Sequence, residues 1–149
     1  MQARVLVPII RVLRQELGEQ RANRIVSNAL RDWSRSVFQS LGAEAKGSPR
    51  EKWASVSAAT MRRIGSDIDI EWVKQDANEI EFNVIGCRYA DLFRQLGEPE
   101  LGSILLCEGD IHVAELGAPE VQFTRTQTIM QGAEYCDFHY RMKSEAETK

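Results

Sequence analysis

The chain lacks the paired thiols of a disulfide framework. Its 149 residues include only three cysteines, an odd number that cannot pair completely within one chain. No spacing of the CxxC kind joins Cys87, Cys107 and Cys136, so no zinc signature is written in the sequence. No apolar run approaches the roughly 20 residues of a membrane span. Arg11 and Arg14 break the short apolar stretch near the start, and no small-residue cleavage pattern follows it, so no signal peptide is read there. Reduced thiols in the cytoplasm are the expectation. No internal repeat is visible, and the basic residues form no cluster interleaved with aromatics. Nucleic acid and membrane are therefore not the expected partners.

What is present is an ordinary globular composition, 43% hydrophobic and 28% charged. The length suits one domain with a real core. Charge is divided unevenly. Residues 1–65 carry 12 Lys/Arg against 5 Asp/Glu, a net of +7, and residues 66–149 carry 7 against 17, a net of −10, which together give the overall −3. Packing of the basic half against the acidic half, in the same or a neighbouring subunit, is the use this suggests.

The period of the apolar residues changes along the chain. Helical spacing over 5–17 aligns Ile9, Val12, Leu13 and Leu17, with Gly18 as the stop. Over 19–41 it aligns Ala22, Ile25, Ala29, Trp33, Val37 and Leu41, and Gly42 ends the run. These stripes predict core and subunit contacts, and hence a homo-oligomer. Ser48, Pro49 and Glu51 make a helix start with a capping box. The helix that follows carries Trp53, Val56, Thr60 and Ile64, and stops at Gly65.

From Ser66 the period falls to two. Ile68, Ile70 and Trp72 alternate with acids, as do Ile80, Phe82 and Val84, which predicts an antiparallel hairpin with one wet face. Asp67, Asp69 and Glu71 belong to that face. Helices are expected from Cys87 to Leu96 and again from Pro99, with Asp110 at a break in the second, where it can cap a further turn. Two strands close the domain. The first sends Phe123, Arg125, Gln127 and Ile129 to one face and Thr124, Thr126, Thr128 and Met130 to the other. A short connection at 131–133 leads to the second, on which Cys136, Phe138 and Tyr140 share a face. The charged tail after Arg141 is expected to fray. The whole reads as α+β: N-terminal helices over 1–65, then a hairpin, two helices and two further strands over 66–142 that hold the ligand site.

Arg125 is the residue that most suggests chemistry. A guanidinium between Phe123 and Ile129 needs a partner, and a carboxylate matches its fork. Cys87 follows a strand and opens a helix, where backbone N–H groups favour a thiolate. Asp137 and His139 share a strand face and can form an acid–base pair.

These residues also carry a resemblance. Asn83-Val84, Cys87, Tyr89-Ala90, Leu101-Gly102, Asp110, the run TRTQTIMQGA and the closing CDFHY resemble the L-2-amino-thiazoline-4-carboxylic acid hydrolase family over about residues 80–141. The order of elements is also distantly similar to V4R-type small-ligand-binding domains. The first resemblance implies a hydrolase that opens a thiazoline ring to N-carbamoyl-cysteine, with no organic cofactor. It implies Cys87, Asp110, Cys136 and Asp137 as catalytic candidates, and Arg125, Thr126 and Gln127 as substrate contacts. Asp110 or Asp137 can activate water, a cysteine can attack instead, and His139 can protonate the leaving atom. The alternative is a non-catalytic domain binding a small ligand, or a metal held by Cys87, Cys107 and Cys136.

Overall fold

The computed structural model describes residues 2–143, with the side chains of Gln2 and Ala3 left aside. Of the tail expected to fray, 144–149 lie outside the described residues. The element order is α1 (Gln2–Leu17), α2 (Glu19–Glu44), α3 (Pro49–Ile64), β1 (Ile68–Gln75), β2 (Glu79–Cys87), α4 (Arg88–Gln95), α5 (Pro99–Gly102), a π-helical turn (Ser103–Cys107), α6 (Glu108–Glu115), β3 (Val121–Thr124) and β4 (Cys136–Met142). The fold is α+β, with a four-stranded antiparallel sheet in the order β1-β2-β4-β3.

Local chemistry sets the boundaries. At the start of α3, Glu51 N–H donates to Ser48 Oγ at 3.3 Å and Ser48 N–H donates to Glu51 Oε2 at 2.7 Å. Glu120 accepts from Ser48 Oγ and Arg50 N–H, which ties this helix start to the segment entering β3. The β1–β2 turn is held by Asp76, whose carboxylate accepts from Asn78 N–H and Glu79 N–H at 2.8 Å each.

The structure divides the helical stripes between the core and the open surface. Helix α1 buries Val7 and Ile10 and leaves Ile9 and Val12 exposed. Helix α2 buries Ala22, Ser34 and Gly42, with Val26, Leu30 and Phe38 partly buried against the core. Small residues are what allow close approach: a Cβ on Gly42 would lie 2.5 Å from Leu116 Cδ2. The larger Ile25, Trp33 and Leu41 are turned outward.

Two boundaries near the ligand site also differ. Asp110 is not at a helix break, because it lies inside α6, in its first turn. The irregularity in the apolar pattern is absorbed upstream by the π-helical turn, which shifts the phase of the faces without ending the helix. The strand expected to run on to Met130 stops at Thr124. Beyond it, Asp137 takes the backbone N–H groups of Thr126 and Gln127, so neither is left for a ladder. A 3₁₀ turn at Ile129–Gln131 follows, capped by the Thr128 side chain and closed by Gly132 at φ 102°.

One face of the sheet meets the helices. On β4, Cys136, Phe138, Tyr140 and Met142 are buried and Asp137, His139 and Arg141 are on the other side. Register sets Phe138 opposite Phe82 and Cys136 opposite Val84. The Phe82 and Phe138 rings stack at 4.8 Å, and Tyr140 meets Phe123 at 4.8 Å and Trp53 of α3 at 5.0 Å. This aromatic surface is part of one apolar cluster that includes Val7, Trp53, Phe93 and Val113.

Candidate functional site

Between the aromatic sheet face and the helices α3 and α6 lies a cavity of about 260 Å³. Strands β2 and β4 supply Phe82, Val84, Cys136, Phe138 and Tyr140. Helix α3 supplies Ser57, Thr60, Met61 and Ile64. The π-helical turn and α6 supply Leu105, Leu106, Cys107, Asp110 and Val113, and Arg125 enters from the end of β3. Most of this wall is hydrocarbon and aromatic carbon. Against it stands one pair of opposite charges.

Arg125 keeps 9% of its side-chain surface exposed. Its Nη1 donates to Asp110 Oδ2 at 2.5 Å and its Nη2 to the Cys107 carbonyl at 2.9 Å. The guanidinium carbon lies 5.3 Å from the Phe138 ring centre and 5.8 Å from that of Phe123, within cation–π range. A buried guanidinium requires such partners. The carbonyl comes from the last residue of the π-helical turn, a contribution that side-chain patterns cannot reveal.

Asp110 is the matching half. Burial pushes its carboxyl up to about 6, and the charge and hydrogen bond of Arg125 act against that rise. It keeps 29% of its side-chain surface accessible and borders the cavity. At neutral pH it is ionised, paired and within reach of a ligand. As a base it is stronger than an ordinary aspartate.

All three cysteines border this cavity. Burial raises Cys107 to about 12, with the Asp110 charge adding to the rise and Arg125 opposing it. Burial also raises Cys136, against the Ile129 N–H that donates to its Sγ at 3.2 Å. Both are neutral thiols at physiological pH, and therefore poor nucleophiles. Cys87 is partly exposed and sits at the N-cap of α4, where its side chain makes no capping bond. Among the described residues, no three His, Cys, Asp or Glu side chains are grouped as metal ligands.

The remaining candidates lie apart from the cavity wall. Asp137 accepts from Thr126 N–H and Gln127 N–H at 2.9 Å each and from Thr126 Oγ1 at 2.6 Å. Burial raises its carboxyl, but these hydrogen bonds outweigh burial and hold it below the usual carboxylate range. Gln127 Nε2 donates to the Tyr135 carbonyl. Asp137, Thr126 and Gln127 thus form a bracket that fixes the chain immediately after Arg125. His139 is on the same outer face, 3.7 Å from Glu79. Sequence reasoning gave no site role to Tyr140, although its alternation with Cys136 and Phe138 was a sufficient signal. It gave none to α3 either, whose stripe read only as core.

The sequence model of the L-2-amino-thiazoline-4-carboxylic acid hydrolase family matches residues 1–140. No curated protein matches the chain. Among solved structures, the crystal structure of the phenol-responsive sensory domain of the transcription activator PoxR with phenol is similar at a TM-score of 0.49 and 13% identity, covering 93% of this chain and 73% of that one. Among the described residues, no helix is long and apolar enough to cross a membrane.

Proposed function

The chain belongs to the L-2-amino-thiazoline-4-carboxylic acid hydrolase family, and from that premise we propose that it opens, by hydrolysis, a small thiazoline-type or related heterocyclic amidine carrying a carboxylate. The observation that supports this most is the Asp110–Arg125 pair in an otherwise largely apolar cavity. Such a substrate is a zwitterion, with an amidinium at one end and a carboxylate at the other. It can exchange one internal ion pair for two external ones.

Size agrees. A cavity of roughly 150 Å³ holds a benzene ring, or about 25 Å³ per heavy atom. The 260 Å³ here then accommodates about ten, and 2-aminothiazoline-4-carboxylate has about nine.

In the reaction we assign, the substrate carboxylate takes over the Arg125 fork, which suits planar bidentate recognition. Asp110 thereby exchanges Arg125 for the substrate amidinium, stays ionised, and lies beside the carbon that water attacks. It accepts a proton from water, whose oxygen adds to the carbon between nitrogen and sulfur. The ring C–S bond then breaks, and sulfur leaves with a proton as a free thiol. For the thiazoline the product is N-carbamoyl-cysteine. Water is the co-reactant. Cys107 and Cys136 form a neutral sulfur-lined wall. Cys87 is the thiol that an alternative, nucleophilic route would use.

The test compares three substrates: the ring carboxylate, the same ring without its carboxylate, and the ring carboxylate without its exocyclic amino group. Loss of either charged group is expected to lower kcat/KM at least tenfold. Equal turnover of all three would remove the charge-pair argument. The apolar and aromatic lining favours a second reading, a domain that binds a small ligand without turning it over. Calorimetric binding of the intact carboxylate with no product formed would select that reading.

A further inference from the structure

Tyr140 borders the cavity but has no part in the reaction assigned above. The residue is 8% exposed and faces the cavity from β4. Its ring is wedged against Trp53 of α3 at 5.0 Å and Phe123 at 4.8 Å, which fixes where its oxygen lies. Phe123 also lies against the Arg125 guanidinium, so the phenol and the ion pair share one region of the cavity. The hydroxyl forms none of the hydrogen bonds found among the described residues, and it is not one of the atoms sealed in protein without a partner. It is therefore open to the cavity. Ser57 Oγ, on the α3 wall, is unpaired too, but it is sealed. Buried hydroxyls are ordinarily paired, so the one on Tyr140 lacks a partner that a bound molecule can supply. Burial raises the phenol above its ordinary range, with the Asp110 charge adding to the rise and Arg125 opposing it. It is a neutral donor at any working pH.

We infer that the Tyr140 hydroxyl is a catalytic hydrogen-bond donor to the ring atom that leaves when the substrate opens, an inference that rests on the hydrolase reading above. Breaking the ring C–S bond places the bonding electron pair on sulfur. At that moment the substrate carboxylate occupies Arg125 and the amidinium faces Asp110, so the charge on sulfur needs a third group. The proton that finally joins sulfur is the one Asp110 took from water. Tyr140 keeps its own proton, and the sum remains substrate plus water. In a cavity lined mostly by carbon, a fixed O–H beside developing charge is worth more than the same bond in water. That charge appears only as the bond breaks, so the donor acts on kcat and little on KM. Its effect grows with the basicity of the leaving atom. The alkoxide released from an oxazoline needs the donor more than the thiolate released from a thiazoline.

The test is Tyr140→Phe, which keeps the ring and removes the hydroxyl, assayed beside wild type on thiazoline and oxazoline carboxylates. The expected result is a kcat lower by about tenfold on the thiazoline and about 100-fold on the oxazoline, with KM within about threefold on both. The urea unfolding midpoint is expected not to fall, because the hydroxyl has no protein partner to lose. A variant with wild-type kcat overturns the inference. So does a loss confined to KM, an equal loss of kcat on the two rings, or a lowered unfolding midpoint, each of which makes the hydroxyl a binding or packing group. Where wild type opens the thiazoline alone, the split between kcat and KM decides. A wild type that opens neither ring removes the hydrolase reading and this inference with it, whereas an active wild type with an equally active variant removes the inference alone.

Discussion

Replacing Asp110 with Asn separates catalysis from stability, because the structure predicts opposite signs for the two. Asn keeps the shape and can still accept from Arg125 Nη1, but it cannot ionise. A rise of the carboxyl from 3.8 to about 6 corresponds to about 3 kcal/mol. With 29% of the side chain accessible, solvent screening reduces the expected effect to about 1–2 kcal/mol. The sign follows from the direction of the rise. The folded state holds the proton more tightly than the unfolded state, so the fold is favoured below pH 3.8 and loses that advantage as pH climbs through about 6. Asn mimics the protonated form at every pH. The variant should therefore match wild type near pH 4 and exceed it by about 1–2 kcal/mol at pH 7. The ordinary expectation for breaking a buried pair is a loss of about 3–5 kcal/mol. Urea unfolding at pH 4, 5, 6 and 7, followed by tryptophan fluorescence, measures the difference. Turnover should fall at least ~100-fold, as expected for loss of a general base. A variant less stable than wild type at pH 7, or one that retains more than about a tenth of the activity, would refute this account of Asp110.

Three further substitutions probe the site. Arg125→Lys keeps the charge and loses the fork, so KM should rise about 10–100-fold with kcat changed far less; unaltered kinetics would rule out the carboxylate clamp. Asp137→Ala removes the acceptor of three hydrogen bonds and should cost about 1–3 kcal/mol. As a positioning change it should raise KM more than it lowers kcat, with partial rescue by Asp137→Asn; an effect confined to kcat would instead make Asp137 a reacting group. Cys87→Ser should leave kcat/KM within about threefold if water attacks directly, as a hydroxyl is a far weaker nucleophile than a thiol. A ~100-fold loss, with a covalent adduct on Cys87 in the wild type by mass spectrometry, would transfer the attack to the thiol.

The sheet was legible because alternation on Ile68–Gln75, Glu79–Cys87 and Cys136–Met142 directly reflects a half-buried strand. Arg125 was legible as an anomaly, since a cation among apolar neighbours requires a partner. What the pattern could not supply was phase. The extra residue of the π-helical turn rotates everything after Ser103, so Asp110 reads as a helix break when it lies inside α6 facing the cavity. The roles of Thr126, Gln127 and Asp137 were hidden for a related reason. Their alternation imitates a strand, but one long-range carboxylate outcompetes the ladder for their backbone donors. On α2 the apolar ridge that read as core and subunit contacts lies mostly on the open side, with Ile25, Trp33 and Leu41 exposed. Ala22, Ser34 and Gly42 form the close contacts, and hydrophobicity alone does not distinguish a face that packs on the core from one left open.

Hydrolysis of a heterocyclic amidine carboxylate is the activity proposed for the Asp110–Arg125 cavity. Its most direct measurement is a mass-spectrometric time course of purified protein, in catalytic amount, with thiazoline, oxazoline and imidazoline carboxylates. Loss of at least one ring substrate is expected, with a product heavier by one water and a matching thiol titre for the thiazoline, all absent with Asp110→Asn. Intact substrates after prolonged incubation, or equal product with the Asn variant, would contradict it.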